Sequence, residues 1–192
     1  MSETFAFNAE YEARAQTIVA RYPEGRQQSA VIPLLDLAQR QAGGWLPTEV
    51  IEYVASYLGM PKIRVLEVAS FYSMFNLEPV GKNFVQLCRT TPCWLRGSDD
   101  LRAAAQEVTG CRLGETSPDG LFTVVEVECL GACCNAPMVQ INDDYYEDLT
   151  AENFKSVLES LKRGEKPEPG SRAGRKGSEP EDGLTTLTME GA

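Results

Sequence analysis

The chain contains no histidine. That excludes imidazole acid–base catalysis and any zinc site of mixed cysteine and histidine ligands. No apolar run approaches the ~20 residues of a membrane-spanning helix. The opening stretch MSETFAFNAEYEARAQ lacks a basic segment followed by an apolar one, so it does not read as a secretory signal. Positive charge is in deficit: 18 Lys and Arg stand against 28 Asp and Glu, a formal net charge of -10. A chain of that sign is poorly suited to nucleic acid as its main partner. There is no G-x-G-x-x-G, so no dinucleotide site of its own is expected. No two cysteines have the C-x-x-C spacing of a thioredoxin-like redox pair.

What remains is a chain of 192 residues, 43% hydrophobic, with six cysteines. That length suits one or two small domains. Without a secretory signal a reducing compartment is expected, where cysteines serve more often as metal ligands or catalytic groups than as disulfides.

The first part of the chain has helical periodicity. Asn8 is placed to cap a helix from Ala9 to about Arg21, with Glu10 and Glu12 in its first turn. A second helix is expected from Ala30 to Gln41, with Pro33 tolerated early and Gly43-Gly44 ending it. Pro47 and Pro61 open two more, the first ended by Gly59 and the second running to about Ala69. Together they make a small helical bundle over residues 1–80. The aromatic run around Phe71, Tyr72, Met74 and Phe75 reads as internal core or as a docking surface.

Beyond about residue 80 the period changes. NFVQLC and LFTVVEVEC read as strands, with a helix between them capped by Ser98. PMVQIN and YYEDL read as an antiparallel hairpin, and Thr150 caps a last helix to Leu161. The fold class expected for residues 81–163 is therefore α/β. Residues 164–192 are rich in Gly, Pro, Ser and charge and are expected to form a flexible tail. Leu184, Leu187 and Met189 offer at most an added strand or a partner contact.

Cys88 ends the first strand and Cys93 lies in the loop beyond it. Cys129 ends the second strand and Cys133 lies in its loop. If these strands are parallel neighbours, four thiols converge from C-x4-C and C-x3-C. Iron and zinc both accept four sulfurs. Structural zinc more often uses a tighter knuckle, whereas a [2Fe–2S] cluster needs two thiolates at each of two irons and suits longer loops. Zinc and a redox dithiol stay open on spacing alone. Cys111 reads as a small buried hydrophobe, and Cys134 as a packed or partly exposed free thiol. Trp94, beside Cys93, reads as a shield, a partner contact or local packing.

The segments CRTTPCWLRGS, GETSPDGLFTVVEVECLGACCNAPMVQINDDYYEDLT and VASFYSMF resemble the family of 24 kDa [2Fe–2S] subunits of respiratory complex I, the NADH:quinone oxidoreductase. The resemblance spans roughly Tyr11 to Leu161. It implies a thioredoxin-like [2Fe–2S] domain preceded by a helical bundle, with Cys88, Cys93, Cys129 and Cys133 as cluster ligands. The family commonly carries Val where this chain has Cys134. The resemblance also implies a non-catalytic redox subunit that exchanges one electron with FMN in a partner flavoprotein subunit, where NADH is oxidised, beside other peripheral-arm subunits. Similar modules serve NAD-dependent formate dehydrogenases and hydrogenases, and a zinc-stabilised interaction domain is a third reading. With no transit-like start, a cytoplasmic location on the inner face of the membrane, held there by partners, is expected.

Overall fold

A computed structural model describes residues 5–186 of the protein. Leu187 and Met189 lie outside the described residues. The chain divides into two compact units, Met1–Val80 and Gly81–Ala192.

The first unit is built on four helices: α1 (Ala9–Val19), α2 (Val31–Gln41), α3 (Thr48–Tyr57) and α4 (Lys62–Phe71). Asn8 caps α1 by accepting from the Tyr11 N–H at 3.0 Å, which satisfies one of the helix's unpaired donors. Leu34, Leu35, Ala38, Val50, Val54 and Val65 recur at helical spacing and are buried together. The aromatic run divides. Phe75 joins this core, whereas Phe71, Tyr72 and Met74 are exposed.

The second unit is built on a five-stranded sheet in the order β2-β1-β3-β4-β5. Its elements are β1 (Asn83–Cys88), α5 (Thr91–Leu95), α6 (Ser98–Thr109), β2 (Phe122–Val127), β3 (Val139–Ile141), β4 (Asp144–Glu147), α7 (Ala151–Lys162) and β5 (Gly170–Ser171). Strands β1 and β2 are parallel over their full length, from Asn83 opposite Phe122 to Cys88 opposite Val127. β3 pairs antiparallel with both β1 and β4. Strand alternation sends Val85, Leu87, Phe122, Val124, Val139, Ile141 and Tyr146 into one core. Leu101, Ala104 and Ala105 of α6, with Phe154, Val157 and Leu158 of α7, fill that same core. Cys88 has the opposite parity to Val85 and Leu87, so it faces away from it.

Three local expectations are corrected. Ser98 does not cap α6. Gly97, at φ 100°, occupies that position, and Ser98 is the first helical residue and is buried. A left-handed residue there suits glycine, so the chain turns one residue earlier than the serine suggests. The short helix α5 replaces the loop expected of TTPCWL, because five residues carry too little periodicity to signal a helix. The expected flexible tail is tied down over part of its length: β5 pairs in parallel with β4, Tyr146 opposite Gly170 and Glu147 opposite Ser171. Its anchors are hydrogen bonds and ion pairs, which composition does not register.

Close approach at the start of β1 requires glycine. A Cβ on Gly81 would lie 2.6 Å from the Phe122 carbonyl carbon, and the Gly81 N–H donates to Thr123 Oγ1 at 2.6 Å.

Candidate metal centre

Because β1 and β2 are parallel neighbours, the loops after both leave the sheet at one edge. Cys88 is the last residue of β1. The chain turns at Thr90 into α5, where Pro92 sits in the first turn and its missing N–H costs no helical hydrogen bond. Cys93 lies inside this helix. Both residues are sealed: Cys88 is 2% and Cys93 1% exposed. They pack with Ala136, Met138 and the partly buried Leu130, Ala132 and Tyr145.

The loop after β2 is built differently. Cys129 precedes Gly131, whose φ of 87° suits glycine. A single 3₁₀ turn, Cys133–Asn135, follows, with the Asn135 N–H on the Ala132 carbonyl at 3.0 Å. Cys129 Sγ and Cys133 Sγ are 3.3 Å apart, and both residues are exposed. Tyr145 Oη donates to the Leu130 carbonyl at 2.7 Å and ties this loop to β4. The peptide before Pro137 is cis.

The two pairs are knitted together. Thr90 Oγ1 is 3.5 Å from Cys88 Sγ and also hydrogen-bonds Cys129. The Leu130 N–H, from the second loop, serves Cys88 in the first. Among the described residues, no three or more His, Cys, Asp or Glu side chains are placed to hold a single metal ion. The sulfurs form two pairs.

Each pair splits its acidity. Burial raises the Cys88 thiol, but the Thr90 hydroxyl, the N–H groups of Leu130 and Thr90, and Cys93 together bring it below the ordinary thiol range. Burial and the proton shared with Cys88 push Cys93 up to about 12. Cys129 is held low, first by the Gly131 N–H and then by Cys133 and Thr90. Cys133 is raised, first by its hydrogen bond to Cys129 and then by desolvation. Within each pair, therefore, one thiol gives up its proton more readily than the other. Four sulfurs with N–H and hydroxyl donors aimed at them form the donor set that an iron–sulfur cluster requires.

The other two cysteines stand apart from these pairs. Cys111 is buried in the helix–sheet core, its sulfur 3.7 Å from the Phe122 carbonyl oxygen. Cys134 is an exposed free thiol whose carbonyl accepts from Arg175 at 2.9 Å. Trp94 is 58% exposed. Sequence reasoning missed Asp148 and Arg175, which bind one another beside this loop. Nothing in the tail's composition signals Arg175.

The model of the thioredoxin-like [2Fe-2S] ferredoxin family matches residues 15–162. The E subunit of NADH-quinone oxidoreductase from Rickettsia bellii is 55% identical over 158 residues, covering 82% of this chain and 95% of that one. NADH dehydrogenase [ubiquinone] flavoprotein 2, mitochondrial, of Dictyostelium discoideum is 49% identical over 183 residues, covering 95% of this chain and 74% of that one. Among solved structures, the NAD+-reducing [NiFe]-hydrogenase in its air-oxidized state aligns with a TM-score of 0.60 at 20% identity. The alignment covers 68% of this chain and 23% of that much longer one, a likeness of fold alone. The family match over most of the chain and the 55% identity across 95% of the Rickettsia bellii subunit show that this chain belongs to the thioredoxin-like [2Fe–2S] ferredoxin family, and that within it the chain groups with the E subunits of NADH-quinone oxidoreductase.

Proposed function

We propose that this chain is the electron-transfer subunit of an NADH:quinone oxidoreductase, holding a [2Fe–2S] cluster on Cys88, Cys93, Cys129 and Cys133. The observation that carries this reading is the arrangement of four thiols as two linked pairs at one sheet edge. A mononuclear zinc site needs its donors around one point. A binuclear cluster takes two thiolates at each iron, which two pairs suit.

When bound, the cluster supplies a reversible one-electron acceptor. The protein's own residues do the rest. Cys88 and Cys93 hold the buried end and exclude water from it. Cys129 and Cys133 hold the end that lies at the surface, where an electron has the shorter path to a partner. Four thiolate ligands would add negative charge to this site. The N–H groups of Leu130, Gly131 and Met138 and the Thr90 hydroxyl point at the sulfurs and offset that added charge. All four sulfurs would bind as thiolates, so loading would release thiol protons and would be favoured by rising pH.

In this reading residues 81–163 carry the cluster, and NADH and FMN are bound by a partner flavoprotein subunit of the same complex. Further peripheral-arm subunits complete the assembly. Among the described residues no helix is long and apolar enough to cross a membrane. Attachment to the cytoplasmic face of the inner membrane then comes through partners.

The test is anaerobic electron paramagnetic resonance of the purified, dithionite-reduced chain, with iron and sulfide assayed on the same sample. A rhombic signal near one spin with two irons and two sulfides is expected. A silent sample holding zinc overturns the proposal. Co-purified subunits identify the parent complex: a molybdenum or nickel–iron subunit would replace the quinone reductase by a formate dehydrogenase or hydrogenase.

A further inference from the structure

We propose that the segment after α7 is a strap on the second cysteine loop, with Arg175 as a positioning residue for the sulfur of Cys133. The inference rests on the four-cysteine assignment proposed above.

The strap has few apolar residues with which to hold itself. Polar anchors do so instead. After α7 the chain returns along β4 as β5, and the Arg172 N–H donates to the Glu147 carbonyl at 2.9 Å. Arg175 then turns inward, its side chain only 8% exposed, against Asp148 at 7%. Its Nε donates to Asp148 Oδ2 at 3.0 Å, and its Nη2 reaches Asp148 Oδ1. Ser171 Oγ donates to Asp148 Oδ2 as well, at 2.5 Å.

The fork has two further ends. Nη1 donates to the Glu179 carbonyl at 2.8 Å, within the strap, and Nη2 donates to the Cys134 carbonyl at 2.9 Å, in the cysteine loop. Beside it, the buried Asn135 donates from Nδ2 to the Gly177 carbonyl at 2.7 Å. Both residues that follow Cys133 are thus gripped by the strap, one through its carbonyl and one through its side chain. They belong to a single 3₁₀ turn, which has little internal restraint.

A buried ion pair is weak grounds for stability, because apolar packing serves as well. Here the guanidinium gives something apolar packing cannot: one planar group spans a carboxylate and two main-chain carbonyls in fixed geometry. What it fixes is the turn that carries Cys133, in the exposed half of the centre. The first loop needs no such device, since α5 and its apolar surroundings already bury Cys88 and Cys93.

The test uses the full chain with its cluster loaded anaerobically. Arg175→Lys keeps the charge opposite Asp148 but cannot reach all three acceptors. Arg175→Gln combined with Asp148→Asn removes the fork without leaving a buried charge unpaired. Glu67→Gln breaks the exposed pair with Arg64 in the helical unit, away from the strap, and is the control. Loss of cluster absorbance under a chelator is followed, together with the resonance line shape after reduction. Both fork variants are expected to lose the cluster about tenfold faster, the scale for residues that orient metal ligands, with altered g-values. The control is expected to match wild type. Fork variants that load fully, hold the cluster as long as wild type and give the same line shape overturn the strap's role. Wild-type protein that takes up no iron and sulfide overturns the ligand assignment, and this inference with it.

Discussion

The two cysteine loops, which carry the four proposed ligands, are held in place by different means. The first, Cys88 to Cys93, is held by a strand end and a short helix and is sealed under apolar side chains. The second, Cys129 to Cys133, is a surface loop with a glycine turn and one 3₁₀ turn. Burial positions the first pair and makes its second proton harder to remove. Hydrogen bonds, including those from the C-terminal segment, position the second. An electron carrier benefits from this asymmetry: one end stays dry and rigid, the other stays within reach of a partner.

The comparison is broken most completely by removing a proposed ligand. Cys88→Ser is expected to abolish loading, because the sealed pocket offers no substitute donor. Cys129→Ser, at the exposed end, is expected to leave a partial population with an altered resonance signal. Iron and sulfide contents with the spectrum check both. A wild-type signal in Cys129→Ser would remove that residue from the ligand set.

A smaller effect should fall on both loops alike. Gly81→Ala forces a Cβ into the backbone of β2 at the start of the β1–β2 ladder. Overpacking of this kind costs about 1–3 kcal/mol. Denaturant unfolding of the protein checks the loss of stability, and cluster retention should weaken at both ends.

The pairs should also separate by pH. The Cys93 thiol is raised from an ordinary 9.0 to about 12. A raised group stabilises the fold below its unfolded value, and that stability is lost as pH rises through the folded value. Cluster-free protein should therefore lose stability between about pH 9 and pH 12. Cys93→Ala should flatten that slope. Cys129, held low and exposed, should be alkylated by iodoacetamide at a pH below that of Cys133, which is raised. Mass mapping of the labelled cysteines checks the order.

The smallest change sharpens the link between loops. Thr90→Val removes the hydroxyl that serves Cys88 and Cys129 while keeping the shape. A donor to sulfur favours the more negative, reduced state, so its loss should lower the reduction potential. One net hydrogen bond of about 1 kcal/mol corresponds to roughly 40 mV for a one-electron couple. Redox titration followed by resonance checks the direction and size.

Much of this was legible in the residues. Asn8 and Thr150 cap the helices their side chains suggest. The alternation in NFVQLC and LFTVVEVEC marks two strands; Cys88 ends the first, but the second stops at Val127, so Cys129 lies two residues beyond it rather than at its end. Ser98 misled because a neighbouring glycine took the capping geometry. The helix around Cys93 was too short to show a period. The strap was illegible for another reason. Its composition lacks the apolar residues on which sequence reading relies, and its anchor is an arginine that pairs with Asp148, 27 positions away.

By itself the sequence determined the helical and strand periods, the spacing of the thiols and the family resemblance, because these depend on residue type and local spacing. Only the tertiary structure decided that β1 and β2 run parallel side by side, which brings two distant loops to one edge. It also decided which cysteines are buried and which are exposed, and where the C-terminal segment returns. Those outcomes depend on contacts between residues far apart in the chain, which no local pattern encodes.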